Sequence, residues 1–368
     1  MIVLNLKLDK IYGFQNFEID FTYPKKVVNS ILEDEHLEGR ERFRYKKAVI
    51  LMGANATGKT SLGRALLKIF TFLNTGNSAI LLDMITEDGA SLCMDFVNNG
   101  FTMHRISVDI PHVDEDIQLR YETAEIDAMD SYEKCVKKLT DQTASVKQFT
   151  ALKKLIGPIE YRFAYPEIER SLKLSGIDKQ VLLKAFRAVI GTLDPTLQDI
   201  SLSKDLTDTI IIKRKGREII IQDGKLLNRE ALSRGTTEGI DVAVFLASML
   251  SGEPCFYCCD ECFCNIQSDI ERRIFGLMLE RVAKNGQLIF TTHNTDMLDL
   301  NLPKHSFMFL RKKLEDGEYR VSAISASAML KRNTDSVRRA FENDMFSSLP
   351  DDSLLDNMEN DKWTEKND

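Results

Sequence analysis

Hydrophobic and polar residues alternate over the first twenty positions after Met1, in "IVLNLKLDKIYGFQNFEIDF". Alternation with a period of two is typical of strands that bury one face, and Gly13 interrupts it. We therefore predict two N-terminal strands joined by a short turn. Further along, "ASLCMDFVNNGFTMHRISVDI" has the pattern of a hairpin that turns at Asn98-Asn99-Gly100.

Short apolar runs alternate with helical patterns in the later part of the chain. The segments "PCFYCCDE" and "GQLIFTTHN" have the length of buried strands, and the helical pattern "SDIERRIFGLMLERVAKNG" lies between them. Before them come a second hairpin, "TIIIKRKGREIIIQDGKLL", with its turn at Lys215-Gly216, and the apolar helix "EGIDVAVFLASMLSG". Together with an early strand–helix unit, this order predicts an α/β fold with a mostly parallel sheet.

The middle of the chain has a more helical and charged character. We expect residues 120–156 to be helical, and we expect a further helix that is capped by Ser175 or Asp178 and ends near Gly191 and Pro195. No heptad pattern is sustained there, which argues against a long coiled-coil arm.

Residues 326–368 form a C-terminal segment whose acidic end is predicted to be disordered.

Composition narrows the class of protein. The 368 residues are 43% hydrophobic and 29% charged, as in soluble globular proteins, and no apolar run is long enough to span a membrane. The N-terminus lacks the pattern of a signal peptide, and the seven clustered cysteines do not suggest a disulfide framework, so we expect a cytoplasmic protein. A formal net charge of −7 argues against a surface that is basic throughout.

The motif "GANATGKTS" carries the strongest chemical signal. It fits the phosphate-loop pattern G-x-x-x-x-G-K-[ST], with an apolar strand before it and an amphipathic helix after it. Backbone N–H groups of such a loop cradle phosphate oxygens, while Lys59 neutralises phosphate charge and the Thr60 hydroxyl ligates Mg²⁺. The predicted nucleotide-binding residues of the loop are Gly53, Ala54, Asn55, Ala56, Thr57, Gly58, Lys59, Thr60 and Ser61.

A phosphate loop of this kind needs a carboxylate from the end of another buried strand. The run "PCFYCCDE" ends in Asp260 and Glu261, and we assign Asp260 to Mg²⁺ and Glu261 as the general base for an attacking water. Zinc binding by the cysteines is the competing interpretation, because C-x-x-C is a metal-ligand spacing. Strand geometry argues against it, since Cys258 and Cys259 would face opposite sides of the sheet.

At this point the sequence resembles ABC-type ATPases of the SMC, RecF and OLD class. It is most similar to the small AAA-15 (RloA/AbiL-like) ATPases of bacterial phage-defence systems. The resemblance rests on "IYGFQNFEIDF" before "GANATGKTS", and then on "LSRGTTEGIDVAVFLASML", "CCDECFCNIQ" and "LIFTTHNTDMLD". It implies an ABC-type P-loop NTPase fold with a mixed N-terminal sheet, a parallel core sheet and an inserted helical/β lobe. By the same resemblance, residues 1–90 and 200–325 are expected to form the ATPase core, and 91–199 the inserted lobe of a hairpin and helices.

The same resemblance assigns roles to residues outside the phosphate loop. Ser233 and Gly235 take the signature-motif positions, which would face ATP bound to a second protomer, so that ATP joins two copies. An ordinary helix cap by Ser233 or Thr236 is the alternative interpretation. Arg234 and Thr236 depart from the L-S-G-G-Q signature of transporters.

Three further positions follow from the resemblance. His293 matches the switch histidine that contacts the γ-phosphate or the water, although a lone histidine after a strand is also common as a structural residue. Residues 264–267 lie at the D-loop position with an unusual sequence, and Gln118 is a weak candidate for the Q-loop glutamine.

The resemblance implies an ATPase that uses ATP and Mg²⁺, forms ATP-dependent homodimers or higher oligomers, and regulates a separate effector such as a nuclease or toxin in anti-phage defence. The alternative is a RecF/SMC-like ATPase of DNA repair or DNA scanning, which makes DNA a candidate partner. A binding module with a degenerate site is a third possibility. The complete set Lys59, Thr60, Asp260 and Glu261 argues against it. No membrane partner is expected.

Overall fold

The computed structural model describes residues 1–23, 30–112, 117–165, 172, 174–203, 206, 209–214, 216–227, 229–315, 317–332 and 334–350. The strands are β1 (Ile2–Asp9), β2 (Phe17–Asp20), β3 (His36–Leu37), β4 (Arg40–Arg44), β5 (Ala48–Met52), β6 (Ala90–Val97), β7 (Thr102–Ile110), β8 (Gln118–Glu125), β9 (Thr140–Asp141), β10 (Tyr161–Ala164), β11 (Leu197–Leu202), β12 (Thr209–Arg214), β13 (Arg217–Gln222), β14 (Lys225–Leu226), β15 (Phe256–Asp260), β16 (Gln287–Thr291), β17 (Phe307–Glu315) and β18 (Glu318–Ser325). The α-helices are α1 (Lys59–Thr75), α2 (Ala79–Leu82), α3 (Tyr132–Lys137), α4 (Leu152–Ile156), α5 (Lys179–Leu193), α6 (Arg234–Leu250), α7 (Ser268–Arg281), α8 (Ala326–Met329) and α9 (Val337–Glu342).

The N-terminal sheet has the strand order β2-β1-β6-β7-β8-β9. The predicted N-terminal strand pair is confirmed as β1 and β2, and the predicted hairpin with its Asn-Asn-Gly turn is confirmed as β6 and β7. Strand β6 pairs antiparallel with β1, from Ile2 opposite Val97 to Asp9 opposite Ser91. The hairpin therefore belongs to the same sheet as the N-terminal strands.

The prediction that residues 120–156 are helical is wrong for much of the segment, which contains strands β8 and β9 and only the short α-helices α3 and α4. Residues Gln118–Glu125 form strand β8, which pairs with β7 over its whole length. Tyr121, Glu122 and Ala124 are buried while Arg120 and Glu125 are exposed, so the strand buries part of its surface although its composition is charged. The pairing with β7 outweighed a local composition typical of helices.

The core sheet has the strand order β10-β15-β16-β5-β17-β18. Its first five strands run parallel, and β18 joins the edge through an antiparallel hairpin with β17. The predicted buried strands around Asp260 and before His293 are confirmed as β15 and β16. Hydrophobic clusters cover both faces of this sheet: Val49 and Leu51 point into one, Ile50 and Met52 into the other. The predicted α/β class with a parallel core is thus confirmed.

A third sheet, β11-β12-β13-β14, lies beside helix α5, which packs against α6. The predicted helix in this region is confirmed, and Asp178 is its cap, accepting the N–H groups of Gln180 and Val181. The second predicted hairpin is β12–β13. Gly216 lies in its turn, while Lys215 is outside the described residues.

The segment predicted to be an inserted lobe contributes to more than one sheet. Its strands β6 to β9 complete the N-terminal sheet, and β10 is an edge strand of the core sheet. The division of the chain into core and lobe stays a prediction, and its first boundary falls at the start of β6. Residues 351–368, for which we predict disorder, lie outside the described residues.

Candidate nucleotide-binding site

The loop between β5 and α1 has a backbone that excludes larger side chains. Gly58 has φ 93°, and a Cβ built there would lie 2.8 Å from the ring of Phe14. Phe14 is fully buried and comes from the N-terminal "IYGFQ" segment. The connection between β1 and β2 therefore packs against the loop, and both the left-handed backbone and this close approach require glycine at position 58.

Lys59 begins α1, and its side chain is buried beside the loop. Its Nζ donates hydrogen bonds to the carbonyl oxygens of Gly53 (2.9 Å) and Ala54 (3.3 Å), and lies 3.6 Å from Glu261 Oε1. Burial lowers the pKa of the Lys59 ammonium, while the nearby carboxylates of Glu261 and Asp260 oppose the shift. The positively charged ammonium group of Lys59 thus lies next to the loop, where it would balance the negative charge of a bound phosphate.

Asp260 ends strand β15 and is brought to the start of α1. The hydroxyl of Thr60 donates to its Oδ2 at 2.6 Å, and the hydroxyl of Thr291 donates to its Oδ1 at 2.6 Å. The carboxyl group is almost wholly buried, and burial raises its pKa, although both hydrogen bonds favour the charged form. A carboxylate and a hydroxyl oxygen in contact are hard ligands of the type that Mg²⁺ prefers, so this pair fits the predicted magnesium site.

Glu261 has a left-handed backbone, with φ 49°. Its N–H is directed at Thr291, 3.0 Å from Oγ1 and 3.2 Å from the carbonyl oxygen, which fixes the turn. Its Oε1 lies 2.9 Å from His293 Nε2. The hydrogen bond with His293 lowers the pKa of Glu261, and the charge of Lys59 adds to the effect. Glu261 is therefore ionised at neutral pH and able to accept a proton, and local backbone strain of this kind is common at functional sites.

A buried polar network holds the loop that carries His293. The Thr292 hydroxyl donates to Glu271 Oε1 (2.9 Å), and the Asn294 amide donates to Glu271 Oε2 (2.6 Å) and to Ser268 Oγ (2.8 Å). Ser268 in turn donates to Asp296. The network ties this loop to the N-terminus of α7, which follows Glu261 in the chain.

The predicted signature residues lie at the start of α6. The Ser233 side chain caps the helix by accepting the N–H of Thr236 at 3.1 Å, so the helix-cap interpretation describes its contacts within one chain. A Cβ at Gly235 would lie 2.4 Å from the carbonyl oxygen of Asn265. Asn265 also donates its backbone N–H to Glu238 of α6 at 2.9 Å. The N-terminus of α6, which carries the predicted signature residues, is therefore in direct contact with the predicted D-loop.

Gly235→Ala is expected to destabilise the protein, because its methyl group would overlap the Asn265 carbonyl. Overpacking of this kind costs about 1–3 kcal/mol, which thermal denaturation would detect as a lower midpoint. Gly276→Ala in α7 is the matched control, since a Cβ there meets nothing within 4 Å. The control should be neutral or stabilising by up to about 1 kcal/mol. Equal midpoints for the two variants would contradict the contact.

The structure brings together most of the predicted site. The phosphate loop, Asp260, Glu261 and His293 meet at the carboxyl edge of the core sheet, whereas the hydrogen bonds of Ser233 stay within α6 in the described residues. Gln118 does not join this edge, because it begins β8 in the N-terminal sheet and is exposed. Sequence reasoning missed Thr291, although it immediately precedes "THN" at the end of a buried strand.

Four cysteines around Asp260 are buried among apolar residues, namely Cys255, Cys258, Cys259 and Cys262, whereas Cys264 is exposed. Cys258 belongs to the hydrophobic cluster on one face of the core sheet and Cys259 to that on the other, as the strand alternation predicts. Burial raises the pKa of Cys258, which favours the neutral thiol over the thiolate that zinc needs. In the described part of the chain, no three His, Cys, Asp or Glu side chains are placed to share a metal ion.

In the described residues, no helix combines the length and the apolar character needed to cross a membrane. No protein-family profile matches the sequence, and no curated protein is significantly similar to it.

Two solved structures are similar over most of the chain. One is an Smc head bound to the C-winged helix domain of ScpA, with 16% identity, a TM-score of 0.51, and coverage of 90% of this chain and 100% of that one. The other is the Smc head domain with an extended coiled coil bound to the C-terminal domain of ScpA from Pyrococcus furiosus, with 14% identity, a TM-score of 0.52, and coverage of 90% and 98%. The chain has an SMC head-like α/β fold with several sheets, consistent with an ABC-type P-loop NTPase.

Proposed function

We propose that the protein binds and hydrolyses ATP. The observation that carries this proposal is the contact of Thr60 with Asp260, next to which Glu261 lies between Lys59 and His293. Two parts of the chain that are distant in sequence thus supply a phosphate loop with its hydroxyl group, and a carboxylate next to an ionised base. These are the groups that phosphoryl transfer to water requires.

The reaction follows from the positions of these groups. Glu261 accepts a proton from a water molecule as the water oxygen bonds to the γ-phosphorus, and the bond from that phosphorus to the β–γ bridging oxygen breaks. ADP and inorganic phosphate result. Lys59 balances charge on the phosphates, and His293 holds Glu261 in place through its hydrogen bond of 2.9 Å.

Thr60 and Asp260 would hold Mg²⁺. The cation, when bound, would neutralise charge that develops on the phosphate oxygens. The chain supplies the two oxygen ligands from α1 and β15, and Thr291 orients the carboxylate from the adjacent strand β16. The remaining ligands would be phosphate oxygens and water, as is usual for Mg²⁺.

We further propose that two protomers enclose ATP between them. Ser233 and Gly235 at the N-terminus of α6 would face the γ-phosphate in the partner's site, where the helix N-terminus favours an anion. The direct contact of Gly235 with Asn265 supports this proposal, because it joins the N-terminus of α6 to the segment that follows Glu261. Hydrolysis in one site would thereby alter the contact between protomers.

Mixing two inactive variants tests both proposals together. Lys59→Ala and Ser233→Arg should each lose ATP hydrolysis, the first through its own site and the second through the partner's. A mixture of the two should recover activity, since half of the sites in a mixed dimer combine an intact loop with an intact Ser233. Phosphate release, measured at increasing ratios of the two proteins, gives the recovery.

The control is a mixture of Lys59→Ala with Lys59→Ala/Ser233→Arg, which contains no intact site in any dimer and should stay inactive. Full activity of Ser233→Arg alone would contradict a role for the signature in trans. Hydrolysis that persists in Lys59→Ala would contradict the assignment of the nucleotide site.

For the biological role, we propose regulation of a separate effector, such as a nuclease or toxin, in anti-phage defence. The support is the resemblance of the four motifs to AAA-15 (RloA/AbiL-like) ATPases, and the similar SMC heads were solved with domains of another protein, ScpA. Purification of the protein from its native cell with its bound partner tests this proposal. A partner whose nuclease or toxic activity changes with ATP is the expected result.

An SMC-like role on DNA is the second candidate. The SMC head-like fold favours it, as does the β17–β18 hairpin, on which Lys312 and Lys313 are exposed. The hairpin also carries the acidic Glu315 and Glu318, whose negative charges weaken the positive electrostatic potential that would attract DNA. DNA binding that falls steeply with salt, together with stimulation of ATP hydrolysis by DNA, would favour this candidate over the first.

A further inference from the structure

The C-terminal residues 344–348 lie directly against the phosphate loop. The carbonyl oxygen of Ser348 accepts the backbone N–H of Ala54 at 3.1 Å, and Ser348 is buried. On its other side, the carbonyl of Ala54 accepts the Thr57 hydroxyl at 2.8 Å and Lys59 Nζ at 3.3 Å. The first turn of the loop is therefore held on one side by its own residues and on the other by residues 344–348. We name these five residues the C-terminal clasp.

The clasp is anchored by an aromatic residue beside the loop. Phe346 is fully buried and stacks on Phe309 with ring centroids 4.0 Å apart and planes within 9°. Phe309 lies in β17 opposite Met52, the last residue of the strand that enters the loop. The anchor thus fixes the clasp to the sheet position from which the loop begins.

A tight turn presents the Ser348 carbonyl to the loop. Asp344 has φ 49°, and its Oδ1 accepts the N–H groups of Ser348 at 2.9 Å and Leu349 at 3.1 Å. Met345, between Asp344 and the anchor, is exposed and takes no part in these side-chain contacts. The Asp344 carboxylate is therefore the side chain that sets the shape of the clasp.

The helix before the clasp is attached to the loop that carries His293. Arg338 of α9 pairs with Asp296 at 3.1 Å and with Asp299, both in the turn that follows His293. Asp296 also accepts the Ser268 hydroxyl at 2.6 Å. One continuous C-terminal segment thus contacts both the phosphate loop and the His293 loop.

We propose that the C-terminal clasp is a positioning element of the ATP site. By holding Ala54 and the first turn of the loop, it keeps the following backbone N–H groups directed at phosphate, so the loop is organised before ATP arrives. Binding and clasp docking are then linked, and release of the clasp weakens ATP binding. This inference rests on the proposed nucleotide site and concerns how tightly that site holds ATP.

Two pairs of variants in the full chain test the clasp. Asp344→Gly keeps the left-handed backbone and removes the acceptor, whereas Asp344→Asn keeps both. Phe346→Ala removes the anchor, and Met345→Ala truncates the exposed neighbour. We expect Asp344→Gly and Phe346→Ala to raise the Kd of a fluorescent ATP analogue and the KM for ATP by about threefold to tenfold. This is the range for loss of one hydrogen bond, here the bond from the Ala54 N–H to the Ser348 carbonyl oxygen. The kcat at saturating ATP should stay within about twofold.

The matched variants Asp344→Asn and Met345→Ala should bind the analogue as the unaltered chain does. A general structural role would instead lower kcat together with binding. Equal or tighter binding by Asp344→Gly would overturn the clasp and leave the ATPase proposal intact. Binding by the unaltered chain that Lys59→Ala does not weaken would overturn the nucleotide site itself, and with it the clasp.

Discussion

Glu261→Gln is expected to lower ATP turnover by about two to four orders of magnitude, the range for loss of a general base. Glutamine keeps the shape of the side chain and an oxygen that can accept the His293 hydrogen bond, but it cannot take a proton from water. The variant should still bind ATP, because the change also removes a negative charge 3.6 Å from Lys59. Phosphate release at saturating ATP measures the loss.

The same variant should accumulate as an ATP-bound dimer. If ATP joins two protomers and hydrolysis separates them, blocking hydrolysis prolongs the dimer, which size-exclusion chromatography with light scattering detects. Lys59→Ala is the control, since it should lose ATP binding and remain unassembled under the same conditions. Turnover by Glu261→Gln at the rate of the unaltered chain would show that another group accepts the proton.

The chemical residues of the site were predictable because each belongs to a local pattern. The phosphate loop is a continuous motif between a strand and a helix, and Asp260 and Glu261 follow a buried apolar run. Parallel strands place their carboxyl ends at one edge, so "CCDE" and "FTTHN" could be expected to meet the loop. Thr60 and Asp260 accordingly lie in contact, although 200 residues separate them in the sequence.

The supporting structure was not predictable in the same way, because it depends on pairing between distant segments. Strand β8 has a charged composition and is held by β7, so its own residues do not distinguish strand from helix. The contact of Ser348 with Ala54 is made by backbone atoms, and no side-chain pattern marks it. The contact of Phe14 with Gly58 is a similar case. It depends on how the segment around Phe14 packs against the phosphate loop, and neither sequence indicates that packing by itself.

At Asp260, the stability of the fold opposes the Mg²⁺-binding role that we propose. Burial raises its pKa above the ordinary value of 3.8, so the fold favours the protonated form. A group of this kind contributes stability below its ordinary pKa, and the contribution is lost as the pH rises through the raised pKa. At neutral pH the ionised carboxylate therefore destabilises the fold, and a bound cation would relieve that cost.

Asp260→Asn is accordingly expected to be at least as stable as the unaltered chain at neutral pH in buffer without Mg²⁺ and ATP, with the difference shrinking towards pH 4. ATP turnover should fall by about two orders of magnitude or more, because the charge that would hold Mg²⁺ is gone. Thermal denaturation across pH and phosphate release across Mg²⁺ concentration measure the two effects.

Thr60→Ser is the control. It keeps the hydroxyl group that donates to Asp260 and should retain turnover within about threefold. A strongly destabilised Asp260→Asn would instead indicate that the carboxylate serves the fold through its two hydroxyl partners, whereas a stable variant that has lost Mg²⁺-dependent turnover would assign its charge to the cation.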